Sequence, residues 1–232
     1  MDTDAVSPYP ARLRGNLDEP LSRWLWLVKW LLAIPHYIVL LFLWIGFVLA
    51  TVIAGFAILF TGKYPRTLFD FTVGVIRWNW RVQFYTYAVL GTDRYPPFTL
   101  RRTDYPADFD VDYPEHLSRG LVLVKWWLLA IPHYLLVLAL VGGGVDFASS
   151  NGDNSDTVPL LGIAVLVAAI ILLFTAKYPR GLFDLLLGIN RWLYRVLTYA
   201  ALMRDEYPPF RLDQGAEEPV GGAPKEPVSP GD

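Results

Sequence analysis

Cysteine is absent from all 232 positions, which excludes disulfides, thiolate metal ligands and thiol chemistry among these residues. Charge is also scarce: Asp, Glu, Lys and Arg make up 18% of the chain, where soluble domains carry about 25%. The formal net charge of -2 says little by itself, because nucleic acid requires a concentrated basic field rather than a neutral sum, and nucleic acid is not an expected partner. Histidine occurs three times, and the two in apolar surroundings, His36 and His133, lack a third ligand for a stable zinc site. Neither a Ser-His-Asp spacing nor a metalloprotease signature is present, and Gly142-Gly143-Gly144 lacks the Lys-Ser/Thr of a phosphate-binding loop. No metal, cofactor or catalytic residue is therefore expected, and a membrane enzyme is the weakest functional class.

What the chain has in abundance is apolar surface. Hydrophobic residues are 54% of the sequence and aromatics 15%, with nine Trp. The residues at positions 1–8 read as a flexible N-terminus, and Asp2, Asp4, Pro8 and Pro10 stand where a signal peptide would need a basic start and an apolar core. Residues 213–232 are rich in Pro, Gly and Glu and read as a disordered tail, because so few apolar groups cannot offset the entropy of ordering.

Between these ends the chain repeats itself. Ala33-Ile34-Pro35-His36-Tyr37 returns as Ala130-Ile131-Pro132-His133-Tyr134, and Lys63-Tyr64-Pro65-Arg66 returns as Lys177-Tyr178-Pro179-Arg180. Tyr9-Pro10-Ala11 and Leu21-Ser22-Arg23 recur 96 residues later, Leu68-Phe69-Asp70 recurs 114 later, and Tyr95-Pro96-Pro97-Phe98 recurs as Tyr207-Pro208-Pro209-Phe210. Six words repeated in order define two tandem copies, 9–100 and 101–212. The second copy gains about 17 residues, including the polar loop 142–157, which cannot remain unpaired in hydrocarbon.

The insertion has its counterpart near Trp44-Ile45-Gly46, inside an apolar run from Trp30 to Phe60. One helix over that run would be about 46 Å long, against about 30 Å of hydrocarbon. The expectation is an all-α integral membrane protein of two tandem helical hairpins, spanning about 24–43 and 45–60, then 121–140 and 158–174. Basic residues flank both hairpins, namely Arg23, Lys29, Lys63 and Arg66, then Arg119, Lys125, Lys177 and Arg180. The loop of copy two carries Asp146, Asp153 and Asp156, so the positive-inside rule places both termini in the cytoplasm of a multi-pass protein.

After each Lys-Tyr-Pro-Arg word the segments 67–90 and 181–203 carry Asp70 with Arg77 and Arg81, and Asp184 with Arg191 and Arg195. Their spacing puts each set on one helical face, and the Asp residues are ion-pair candidates for those Arg residues. Two placements are open: interfacial amphipathic helices at the inner leaflet, or a third crossing in each copy. Pro35 and Pro132 either kink a helix or separate a lead-in helix from the crossing, and His36 and His133 bond freed backbone carbonyls or a Tyr, or serve as a polar site. Lys63, Arg66, Lys177 and Arg180 read as turn-and-anchor residues. Together with Arg77, Arg81, Arg191 and Arg195 they are also candidates for binding an anionic lipid headgroup or a protein partner.

The words Ile-Pro-His-Tyr, Phe-Thr-Gly/Ala-Lys-Tyr-Pro-Arg, Phe-Asp, Arg-Trp and Tyr-Pro-Pro-Phe together resemble the membrane-protein family catalogued as domain of unknown function 4389, over approximately Tyr9 to Leu212 as two copies. The resemblance implies an integral protein of the bacterial cytoplasmic membrane and carries no family activity; the polar insertion of copy two departs from it. The expected role is a noncatalytic membrane scaffold or accessory subunit, whose basic inner surface holds anionic lipid, a membrane-protein partner or a second copy. A small-solute or lipid transporter is the alternative.

Overall fold

The computed structural model describes residues 9–141, 160–175 and 177–213. The expected flexible N-terminus, the polar loop 142–157 and the tail beyond Asp213 lie outside the described residues. Asp213, which composition assigns to the tail, pairs with Arg195.

Copy one begins its helical part with α1 (Trp26–Leu32) and α2 (Ile34–Thr61). Pro35 falls in the first turn of α2, where its missing N–H costs nothing, so it separates a short lead-in helix from the long one. The expected turn near Gly46 is absent. α2 passes through that position unbroken, because one Gly between Ile45 and Phe47 costs a helix about 1 kcal/mol and supplies no turn of its own. Gly46 instead admits a neighbour: a Cβ there would lie 3.1 Å from the Phe71 ring.

The reversal comes at the end of α2. Gly62 closes the helix in the left-handed region at φ 72°, and Pro65 then caps α3 (Arg66–Tyr85). α3 returns antiparallel along α2, with Tyr37 Oη donating to Thr86 Oγ1 at 3.2 Å near one end and Gly46 against Phe71 toward the other. The helical hairpin of copy one is thus α2 with α3, turned by the Lys63-Tyr64-Pro65-Arg66 word. From Phe69 to Tyr85 most of α3 is buried, so it is a core helix and not a peripheral interfacial one.

Two strands correct the all-α expectation. β1 (Ala11–Gly15) and β2 (Ala107–Val111) pair antiparallel, Arg12 opposite Asp110, Leu13 opposite Phe109 and Arg14 opposite Asp108. Both segments alternate apolar and charged residues, burying one face and placing opposite charges across the ribbon. The ribbon covers α3 and its counterpart α7 (Arg180–Ala200). Trp80 Nε1 donates to Arg14 O at 2.8 Å, Phe109 packs on Tyr194, and Asn79 Nδ2 donates to Tyr194 Oη at 2.8 Å.

Copy two enters through α4 (Leu121–Val124), a π-helical turn (Lys125–Leu129) and α5 (Ile131–Val141), and resumes with α6 (Leu160–Thr175). Among the described residues two segments are long and apolar enough to cross a membrane, Ile34–Thr61 and Leu121–Leu138, against the four spans expected. α6 is shorter. Large apolar side chains of α2, including Phe42, Val48, Phe56 and Phe60, point away from the protein with more than half their surface exposed.

Candidate functional site

Arg77 and Arg81 project from α3 toward β2. Arg77 Nε donates to Phe109 O at 2.8 Å, Nη1 to Leu100 O at 3.1 Å and Nη2 to Asp110 at 3.1 Å, with Asp108 also 3.1 Å from Nε. Arg81 donates to Thr99 O and Arg101 O and lies 3.6 Å from Asp108. Burial pulls the Arg81 guanidinium below its ordinary value and Asp108 opposes that shift. In copy two, Arg191 Nε donates to Leu13 O at 3.0 Å and Nη1 to Asp213 O at 2.7 Å, while Arg195 pairs with Asp213 at 2.6 Å. All four guanidinium groups are buried and donate to carbonyl or carboxylate oxygens of the fold. Their observed role is to fasten the fold.

The expected pairing of these Arg residues with Asp70 and Asp184 does not form. Seven residues of helix separate Asp70 from Arg77 by about 10 Å, which their side chains do not bridge. Asp70 instead meets Arg66 one turn earlier, at 3.3 Å. Among the described residues Asp184 has no ion pair, and Arg180 turns toward Glu19 at 3.9 Å.

Two lysines counted as flanking surface charge are also internal. Lys29 Nζ donates to Thr92 O at 2.7 Å, pairs with Asp93 at 2.9 Å and sits over the Tyr85 ring. Lys125 repeats the arrangement with Arg204 O, Asp205 and Tyr199. Asp93 and Asp205 each accept a second bond, from Ser22 N and Ser118 N. These acidic partners were missed from sequence. The usable signal was an Asp two residues before each Tyr-Pro-Pro-Phe word.

Each histidine lies in an aromatic box. His36 is fully buried, stacks on Phe98 at 3.9 Å and accepts a hydrogen bond from Trp78 Nε1 at Nδ1, 3.1 Å away. His133 stacks on Phe210 at 4.3 Å beside Tyr207 and Trp192. The boxes bind the N-terminal end of each long apolar helix to the Tyr-Pro-Pro-Phe segment of its own copy. Among the described residues no three His, Asp or Glu side chains gather as metal ligands.

The basic groups of the two Lys-Tyr-Pro-Arg turns face outward. Lys63 and Lys177 are exposed and have no ion pair among the described residues, and Arg66 and Arg180 are exposed with loosely held acidic neighbours. Arg66 also lies over the Tyr113 ring, two residues beyond the end of β2. Arg66 thereby stands where the charged ribbon meets the start of α3. Domain of unknown function (DUF4389) matches residues 23–99 and 159–211. The chain belongs to this family. Each matched DUF4389 segment holds an apolar helix, the Lys-Tyr-Pro-Arg turn, the Arg-bearing helix and the Tyr-Pro-Pro-Phe word, so the four fastener arginines and the whole His36 box fall inside the matched residues, whereas His133 lies outside them. No curated protein and no solved structure matches the chain.

Proposed function

We propose that this DUF4389 protein is a noncatalytic membrane scaffold that lies in one leaflet, with its apolar helices in hydrocarbon and its ribbon at headgroup level. The observation that carries this reading is the position of β2. Phe109 meets Arg77 midway along α3, and Tyr113 meets Phe69 and Arg66 near its start, so the ribbon runs beside α3 and at the same level as the middle of α2. Were α2 to stand across the bilayer, the half-exposed Arg102 and Asp112 side chains would face hydrocarbon, at about 2.5–3.5 kcal/mol for each charge at mid-depth. An in-plane placement removes that cost. It also keeps both termini on one side and sets Lys63, Arg66, Lys177 and Arg180 against anionic headgroups, each worth about 1 kcal/mol.

The absence of cysteine makes the test direct. Single cysteines at Ile38, Val48 and Phe60, all on the outward face of α2, are labelled with a fluorophore and read by depth-resolved lipid quenching in anionic vesicles. In-plane α2 gives one common depth. A transmembrane α2 spreads Ile38 and Phe60 over about 33 Å along the helix, and that result rejects the proposal.

A further inference from the structure

The two copies meet along a seam where α2 passes the lead-in helix of copy two. A cavity of about 370 Å³ opens there, lined by Val52, Gly55 and Phe56 of α2, by Val122 and Trp126 opposite, and by Leu202 behind. That volume lies in the range of ligand pockets, about 300–1,000 Å³. Val52, Phe56 and Trp126 are each more than half exposed, so the cavity opens on the same apolar side as the outward face of α2. The seam is narrower in side-chain bulk on this side of the molecule: Gly55 and Thr51 stand where copy two has Ala169 and Val165.

The lining itself is apolar, and basic residues stand about one helical turn beyond it at one end. Leu59 lines it three residues before the Gly62 turn, and Val122 lines it three residues after Arg119. Leu117 N donates to Gly62 O at 2.9 Å, and the Arg119 guanidinium Nε lies 3.6 Å from where a Gly62 Cβ would stand. Lys63 follows directly. Both basic side chains are exposed, and among the described residues neither has an acidic partner, whereas Arg12, Arg77, Arg195, Lys29 and Lys125 all do. An apolar slot with unpaired cations at its mouth matches a molecule with an aliphatic chain and an anionic head.

We infer that the seam between the copies is a binding site for one anionic phospholipid, an acyl chain lying between α2 and the copy-two lead-in and its phosphate held by Arg119 and Lys63. The inference rests on the membrane placement above and adds to it a defined stoichiometry and residues outside the buried fasteners. Because the slot is walled by both copies, the lipid bridges them.

The test uses the full chain in phosphatidylcholine nanodiscs with phosphatidylglycerol as the probe, read by native mass spectrometry after gentle release. One phosphatidylglycerol should stay bound per chain. Arg119→Ala with Lys63→Ala should weaken retention about 30-fold, at roughly fivefold per basic side chain. Val52→Trp, which fills the slot from its exposed rim, should abolish retention with both cations in place, and unchanged far-UV circular dichroism confirms the fold of each variant. Equal retention of both lipids, or variants that retain phosphatidylglycerol as the parent does, means annular lipid and overturns the site while leaving the membrane placement intact. A chain that does not enter the nanodisc overturns the placement itself.

Discussion

Leu13 and Phe109 face each other at the centre of the ribbon and are also each other's counterparts, 96 residues apart. A register centred on such a pair relates the two strands by a two-fold axis through the ribbon. The same exchange extends outward: Arg77 of copy one binds the carbonyl of Phe109, and Arg191 of copy two binds the carbonyl of Leu13. Each copy therefore fastens its central helix to the other copy's strand, as domain-swapped protomers do within a dimer.

Removing one fastener should unlock this arrangement. Arg77→Ala takes a buried donor from Asp108, Asp110 and the Phe109 carbonyl, and because Arg81, Arg12 and Arg102 still neutralise the two carboxylates the loss should be about 3 kcal/mol, the lower end for breaking a buried pair. Arg77→Lys keeps the charge and loses the forked donors, so it should recover part of that loss. Lys63→Ala, at an exposed and unpaired position, should fall within about 0.5 kcal/mol of the parent. Denaturant unfolding in detergent, followed by circular dichroism, measures all three. Equal stability of the Arg77→Ala and Lys63→Ala proteins would show that the fasteners do not hold the copies together.

Much of this was legible in the words themselves. The repeated words and the turn at Lys63-Tyr64-Pro65-Arg66 follow from local chemistry, and of the two roles open to Pro35, a kink or a break after a lead-in helix, the structure shows the second. The hairpin was misplaced because the length argument took a membrane crossing for granted and then read a turn into Gly46 from an insertion in the other copy. Helical spacing put Arg77 and Arg81 on one face, but nothing local to α3 says what covers that face. The cover is a strand some thirty residues away. Its five-residue alternation, Ala107-Asp108-Phe109-Asp110-Val111, was the readable signal, and so was the matching Arg12 and Arg14 on β1.

The two aromatic boxes should respond differently to the same substitution. His36→Phe keeps the stack on Phe98 but leaves the buried Trp78 indole N–H without its acceptor, a loss of about 1–3 kcal/mol. In copy two the Trp192 indole has no hydrogen-bond partner among the described residues, and neither ring nitrogen of His133 has one. His133→Phe therefore removes buried polarity without stranding a donor and should be neutral or stabilising. Unfolding midpoints of the two variants test the asymmetry, and equal losses would contradict it.

Alkaline pH should open the core through its tyrosines. Burial first, then Asp93 and Tyr95, push Tyr85 up to about 12, and burial likewise raises Tyr9, Tyr105, Tyr178 and Tyr194. Three of these hydroxyls donate to backbone carbonyls, Tyr9 to Glu206, Tyr105 to Arg94 and Tyr178 to Val89, so ionisation would set oxygen against oxygen. A folded-state value above the ordinary 10.0 means that the folded protein holds its protons longer. Tyr85's contribution to stability is complete below pH 10.0 and is lost as the pH rises through about 12, and the other four, raised further by burial, follow at higher pH. Tyrosinate absorbance of the buried set should consequently appear together with loss of circular dichroism. A full tyrosinate signal from a chain that keeps its native spectrum would place these hydroxyls in water and refute the packing of the ribbon on α3 and α7.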